Sequence, residues 1–156
     1  MSSSLNSVIF YFLFTALAIC LTHARESPSP PRFKYDVHII NGCENQKFPL
    51  IPINGSCVDE NKHPIGTFSL RRFTDEFHWS VKINPRGHST YVCHLRRADT
   101  KAGIVAFDQH RDDKDRRCKK TGMCWWKVDE IGIYFSNQNY NYSKYYDWEK
   151  SNVIGS

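Results

Sequence analysis

The sequence predicts an all-β domain: a small antiparallel β-sandwich, immunoglobulin-like, of seven to eight short strands stabilised by disulfides. Three observations predict it. Residues Glu76 to Ile83 place Phe77, Trp79, Val81 and Ile83 on one side and His78, Ser80 and Lys82 on the other, the two-residue period of a half-buried strand. Cys124 to Asp129 repeat the pattern, with Cys124, Trp126 and Val128 opposed to Trp125, Lys127 and Asp129. Turn-forming residues recur between such segments, and no stretch carries sustained helical periodicity, an internal repeat or a coiled coil.

Taken in order, the chain begins with an apolar run, Val8 to Leu21, too short for a membrane span of roughly 20 residues. It fits the core of a secretory signal peptide over residues 1–24, with Thr22-His23-Ala24 as the cleavage site. No other run approaches it, and there is no retention signal or lipid-anchor tail at the C-terminus. Residues 25–34, rich in Pro and Ser, read as a flexible leader. The domain then occupies residues 35–150. Tyr35–Asn41 is a first strand with Val37 and Ile39 on one face. Leu50–Ile53 is apolar, but its prolines lack ladder donors, so a strand there belongs at an edge or is broken. Thr67–Phe73 follows, then Glu76–Ile83, then the turn Asn84-Pro85-Arg86-Gly87. Ser89–Arg97 puts Tyr91, Cys93 and Leu95 on one face. A turn over Asp99–Gly103 returns the chain into Ile104–Gln109. A charged loop, His110–Lys120, precedes the strand at Cys124. Ile131–Phe135 and an aromatic segment, Tyr140–Trp148, close the domain.

Removal of the leader takes Cys20 with it, leaving Cys43, Cys57, Cys93, Cys118 and Cys124 of the six cysteines in the chain. In a secreted protein these read as disulfide partners rather than metal ligands. An odd number leaves one over. Cys43, in the polar stretch Asn41-Gly42-Cys43-Glu44-Asn45, is that one, either as a thiol or as a bridge between two chains; otherwise the protein is expected to be a monomer. The signal peptide has no charged side chain, so the mature chain keeps the formal charge of +5. Arg71-Arg72, Arg96-Arg97, Arg116-Arg117 and Lys119-Lys120 supply much of its positive part. Such a surface suits acidic wall polysaccharide, anionic membranes or nucleic acid, or is simply a soluble one.

Catalytic motifs are scarce. No histidine pair has the spacing of a zinc motif, and there is no nucleophile elbow or phosphate loop. His78 and His94 alternate with apolar neighbours and should lie on outward strand faces. A secreted ribonuclease would need two histidines and a lysine to converge, and His94, His110 and Lys119 are the trio that could. Asp108, Asp112, Asp113 and Asp115 lack the ligand ladder of a calcium loop and read as a solvated acidic segment. The reading is therefore of a non-enzyme with no cofactor, no metal, no bound nucleic acid and no membrane insertion. Two glycosylation sequons stand at Asn54 and Asn141. Asn54-Gly55 has the look of a turn, which makes Asn54 the better acceptor, since Asn141 lies among aromatic residues.

The ordered set of short motifs resembles the plant self-incompatibility protein family, the S-protein homologues. Val37-His38-Ile39-Ile40-Asn41 is similar to the opening strand and its asparagine, and Cys57 with Pro64-Ile65-Gly66 to the cysteine, acidic loop and glycine. Phe77-His78-Trp79 is similar to the aromatic strand, Ser89 to Leu95 to the threonine–aromatic–cysteine block, and Phe107-Asp108 to the next strand. Cys118 to Tyr134 resembles the family most closely. Ser56 departs from the usual histidine, the segment around Pro52 and Gly55 suggests a distorted second strand, and Cys43 is additional.

The resemblance implies a secreted sandwich with two intrachain disulfides among Cys57, Cys93, Cys118 and Cys124. Three pairings are open. Cys93–Cys118 with Cys57–Cys124 is the expected one, because a hairpin of Ser89–Arg97 with Ile104–His110 would return the following loop towards the strand that carries Cys93. The resemblance also implies a signalling ligand for a cell-surface receptor protein, related to stigma proteins that arrest pollen, with contacts through Asp59–Pro64, Asn84–His88 and Asp112–Lys120. A wall-polysaccharide- or membrane-binding defence protein is the alternative, and the ribonuclease comes third. Trp126 is expected inward, packed around a disulfide, and Trp125 outward.

Overall fold

The computed structural model describes residues 34–44, 50–83 and 87–151. The signal peptide, nearly all of the Pro/Ser leader and most of the turn at Asn84 lie outside these residues. The elements are β1 (Lys34–Asn41), β2 (Ile53–Asp59), β3 (Pro64–Leu70), β4 (Glu76–Lys82), β5 (Thr90–Arg97) and β6 (Thr100–Asp108), a single helical turn α1 (Gln109–Asp112), then β7 (Met123–Val128), β8 (Ile133–Ser136), β9 (Ser143–Tyr146) and β10 (Glu149–Lys150). They form two five-stranded sheets, ordered β4-β1-β7-β8-β9 and β10-β6-β5-β2-β3. The predicted all-β sandwich is what the chain forms, with ten strands among the described residues in place of seven or eight.

Alternation dictates most of the strands. In β1, Tyr35, Val37, Ile39 and Asn41 are buried and the residues between them are not. In β7, Cys124, Trp126 and Val128 point inward. All pairs are antiparallel except β1 with β7, which run parallel with Asp36 opposite Met123 and Asn41 opposite Val128. Two of the expected elements change. The second strand is not the apolar Leu50–Ile53 but the more polar segment after it, and it lies inside its sheet between β3 and β5. A strand with one wet face needs only alternate apolar positions, and Ile53 and Cys57 supply them. The turn before β6 is also shorter, Ala98 and Asp99 alone, with Ala98 at φ 49°.

The core lies between the sheets. Trp126 is fully buried, and its indole Nε1 donates to the Ala106 carbonyl of the opposite sheet at 2.8 Å. A buried tryptophan keeps its packing value only if the N–H finds such an acceptor. Its ring meets Phe135, Tyr145 and Tyr146. Asn41 is a second tie between the sheets: its Nδ2 donates to the Leu70 carbonyl at 3.4 Å and its Oδ1 accepts from the Cys43 N–H at 2.9 Å.

The disulfides differ from the expected pairing. Cys57 bonds to Cys93 and Cys118 to Cys124. Register is the reason. Cys57 and Cys93 stand directly opposite on neighbouring antiparallel strands, both facing inward, so neither reaches the far connection. The chain leaving β6 does return beside the beginning of β5, but at a point four residues before Cys93: Gln109 N, at the start of α1, donates to the Ser89 carbonyl. Cys43 lies outside both disulfides and is buried, 2% exposed.

Candidate recognition surface at one end of the sandwich

Strand register brings the connections together. Asp59 is opposite Tyr91, and Thr90 is opposite Asp108, so the β2–β3 turn, the start of β5 and the end of β6 share one end. The β7 side reaches the same end, where Asp36 N donates to the Gly122 carbonyl. So does the β8–β9 loop, where Asn137 Nδ2 donates to the Arg117 carbonyl at 2.9 Å. The three segments named from the sequence, 59–64, 84–88 and 112–120, therefore converge as far as they are described. The β8–β9 loop joins them. Sequence reading passed over it as part of one long aromatic segment.

Each connection is held by its own polar side chains. In the β2–β3 turn, the Asp59 carboxylate accepts N–H bonds from Asn61 at 2.9 Å and His63 at 2.8 Å, an Asx-type turn that tolerates Lys62 at φ 67°. At the start of β5, His88 Nε2 lies 3.1 Å from Asp108 Oδ2 and 2.8 Å from the Thr90 hydroxyl, and its ring stacks on His110 at 4.4 Å between centroids. Burial would push the Asp108 carboxyl up, but the Arg111 N–H, the His88 and Arg111 charges and the Thr90 hydroxyl together hold it below the usual carboxylate range.

The β6–β7 connection is more ordered than a solvated charged loop. Asp112 has no exposed surface. Its carboxylate accepts from the Asp108 N–H at 2.8 Å, from Arg111 Nε and Nη2 at 3.0 and 2.8 Å, and from Arg117 Nε at 2.9 Å. The Arg117 guanidinium lies 3.5 Å over the Phe135 ring, and Arg111 lies 5.8 Å from the rings of both Trp126 and Tyr145. Burial opposes the Arg111 charge, yet the Asp112 hydrogen bond and charge more than offset it and raise its pKa. A buried carboxylate needs such partners, because an unpaired one is costly. Charges counted as surface in the sequence thus turn inward, leaving Lys114, Asp115, Arg116 and Lys120 exposed. The acidic residues do not form a calcium loop: Asp112 is committed to arginines, and the cysteines that approach it are joined to each other.

Between this connection and the β8–β9 loop lies a depression of about 390 Å³, lined by Arg116, Arg117, Gln138, Tyr140, Asn141 and Tyr145 among others. A larger one of about 780 Å³ crosses the outer face of the second sheet, around Asn54, Ser56, His94, Arg96, Lys101 and Gly103. Each sequon lines one of them. Asn54-Gly55 lies within β2 rather than in a turn, and Asn141 stands in the β8–β9 loop at φ 52°; both asparagines are exposed.

The ribonuclease trio does not converge. His94 lies opposite Gly103, while His110 follows β6, which runs on for about 16 Å from Gly103 to Asp108 at 3.3 Å per residue. His110 pairs instead with His88, and the stacked rings leave no space for a phosphate between them.

The profile of the plant self-incompatibility protein S1 family matches residues 36–148. The chain belongs to that family. No curated protein matches it. The family region runs from β1 to the residue before β10, and includes both disulfides, the Asp112 hub and all four converging connections. The serine standing where the family usually has histidine, Ser56, faces outward between Thr67 and His94. Among the described residues no helix is long and apolar enough to cross a membrane.

Proposed function

We propose that this member of the S1 family is a secreted, non-enzymatic signalling ligand that engages a cell-surface receptor protein through the end of the sandwich where the four connections meet. The observation that carries the reading is the Asp112 hub with Cys118–Cys124. Together they hold a charged connection in one conformation, which lowers the ordering cost of binding. The opposite end has no comparable assembly of charged side chains around a buried carboxylate among the described residues. Loops fixed on a rigid sheet are the usual carriers of recognition.

Binding of labelled, oxidised protein to plant cell-surface membranes tests it. The expected result is saturable, protease-sensitive binding, displaced by unlabelled protein and weakened by Arg116→Glu and Tyr140→Ala. Linear, salt-suppressed uptake on pectin or lipid, indifferent to both substitutions, would establish the wall- or membrane-binding defence reading instead. RNA cleavage by the purified protein, abolished by substitution of a histidine, would overturn the non-enzymatic part.

A further inference from the structure

The outer face of the first sheet carries a second cluster, argued from its own geometry and not from the receptor-binding reading. His38 of β1 and His78 of β4 stand directly opposite each other, and Trp125 of β7 is opposite His38 on the other side. Glu76 lies two residues before His78 on the same strand face. His38 Nδ1 is 2.5 Å from Glu76 Oε1, and His78 Nδ1 is 3.3 Å from the same oxygen. One donor atom from each of the three side chains lies within 4.8 Å of the others.

From this geometry we infer that His38, Glu76 and His78 form a surface site for a borderline divalent cation of the Zn²⁺ class. Imidazole and carboxylate donors suit Zn²⁺, Cu²⁺ and Ni²⁺, whereas Ca²⁺ and Mg²⁺ take oxygen ligands. Ligands of a tetrahedral Zn²⁺ with bonds of 2.0–2.1 Å are separated by about 3.3 Å. The His78–Glu76 separation already has that value, and the His38–Glu76 contact reaches it by a small outward swing of the glutamate. Two histidines and one carboxylate leave a fourth position open to solvent, the arrangement of an exchangeable rather than a closed structural site.

The surroundings orient the cluster. The His38 ring stacks on Trp125 at 3.8 Å and 12°, and its side chain is 13% exposed, so it is a fixed ligand. His38 Nε2 is buried with no hydrogen-bond partner, which leaves Nδ1 as the nitrogen addressing the open face. His78, 65% exposed, is the mobile arm. Asp36 is occupied by the Ser80 hydroxyl at 2.6 Å, and the Lys127 ammonium is drawn towards the rings of Tyr134 and Tyr142, so neither intrudes between the donors.

Calorimetric titration of tag-free, oxidised protein with zinc chloride should show one Zn²⁺ per chain. His78→Ala and Glu76→Gln, both on an edge strand, should each weaken binding by roughly 10–100-fold or more, judged by the usual cost of disturbing a metal site. His88→Ala, which alters the other histidine pair, should leave it unchanged. Ni²⁺ should quench tryptophan fluorescence, and Trp125→Phe should remove most of that quench while retaining the zinc stoichiometry. Far-ultraviolet circular dichroism confirms that each variant is folded. Absence of zinc uptake, equal affinity in folded His78→Ala, or loss in His88→Ala alone would each overturn the assignment.

Discussion

Cys57–Cys93 and Cys118–Cys124 close loops of very different length in very different surroundings. The first spans a sequence separation of 36 and joins two strands that the hydrogen-bond ladder already holds in register. The second spans only 6 residues, in a connection that has no ladder and depends on Asp112 and the arginines for its shape. Chain entropy assigns about 4 kcal/mol to the longer loop and about 2 kcal/mol to the shorter. The difference teaches that the larger stabiliser is structurally the more redundant. Removing the first bridge should make the whole domain easier to unfold without changing its native shape, whereas removing the second should loosen one end while most of the stability survives.

The strongest test lies between the two regions. Trp126→Ala deletes a fully buried ring and strands the Ala106 carbonyl, at a cost of about 5 kcal/mol. It should abolish folding and secretion, and a normally secreted variant that lost only a binding activity would show that the ring is a ligand platform. The double substitution Cys57→Ser with Cys93→Ser should lower denaturant stability by about 4 kcal/mol, with protease nicking of the native state unchanged at 112–120. Asp112→Asn leaves two half-buried guanidinium groups without their counter-charge and should cost about 3 kcal/mol, with new nicking confined to that connection. Cys118→Ser with Cys124→Ser should cost about 2 kcal/mol and give the same local nicking. If it proved more destabilising than loss of the first bridge, the comparison would fail.

The smallest effect is one of pH. The folded Asp108 carboxyl is held below its ordinary value, so its stabilisation is complete above about pH 4 to 5 and disappears as the pH falls through the lowered folded value. Solvent screening keeps it under about 1 kcal/mol. Denaturant midpoints for the parent and Asp108→Asn should differ at neutral pH and converge as the pH falls through the lowered folded value. Asp75, at the other end of the sandwich, is lowered by the N–H groups of Arg72 and Arg71 and should show the same sign in an Asp75→Asn variant.

The amphipathic strands were legible because one face of each is wet: His78, Ser80 and Lys82 against Phe77, Trp79 and Val81 gave β4 almost to the residue. The inward Trp126 was legible from the same alternation. β2 was not, since hydrophobicity peaks at Leu50–Ile53 and the true strand, with Asn54, Gly55 and Ser56 at its centre, is identified only by its neighbours. The disulfide pairing depends on which strands are adjacent, a long-range property that spacing does not encode. At the candidate site, the three connections were legible as charged, turn-rich segments. The inward turn of Arg111 and Arg117 was not, because a buried carboxylate and an exposed one have the same letter. Neither was the His38–Glu76–His78 cluster, whose members become neighbours only through the β1–β4 register.

The parallel pairing of β1 with β7 bears on how the chain is made. Among the described residues the first strand to leave the ribosome is an interior strand of its sheet, and one of its two neighbours is synthesised far later. At 5–20 residues per second, roughly 4–17 s pass between the emergence of Asp36 and that of Met123. During that interval the β10-β6-β5-β2-β3 sheet gains nearly all of its strands, and Cys57 comes opposite Cys93, while Tyr35, Val37 and Ile39 have only β4 beside them in their sheet. Until Met123 emerges, then, one sheet can be nearly complete while the other lacks an interior strand, and the edge of β1 that β7 will cover stands open.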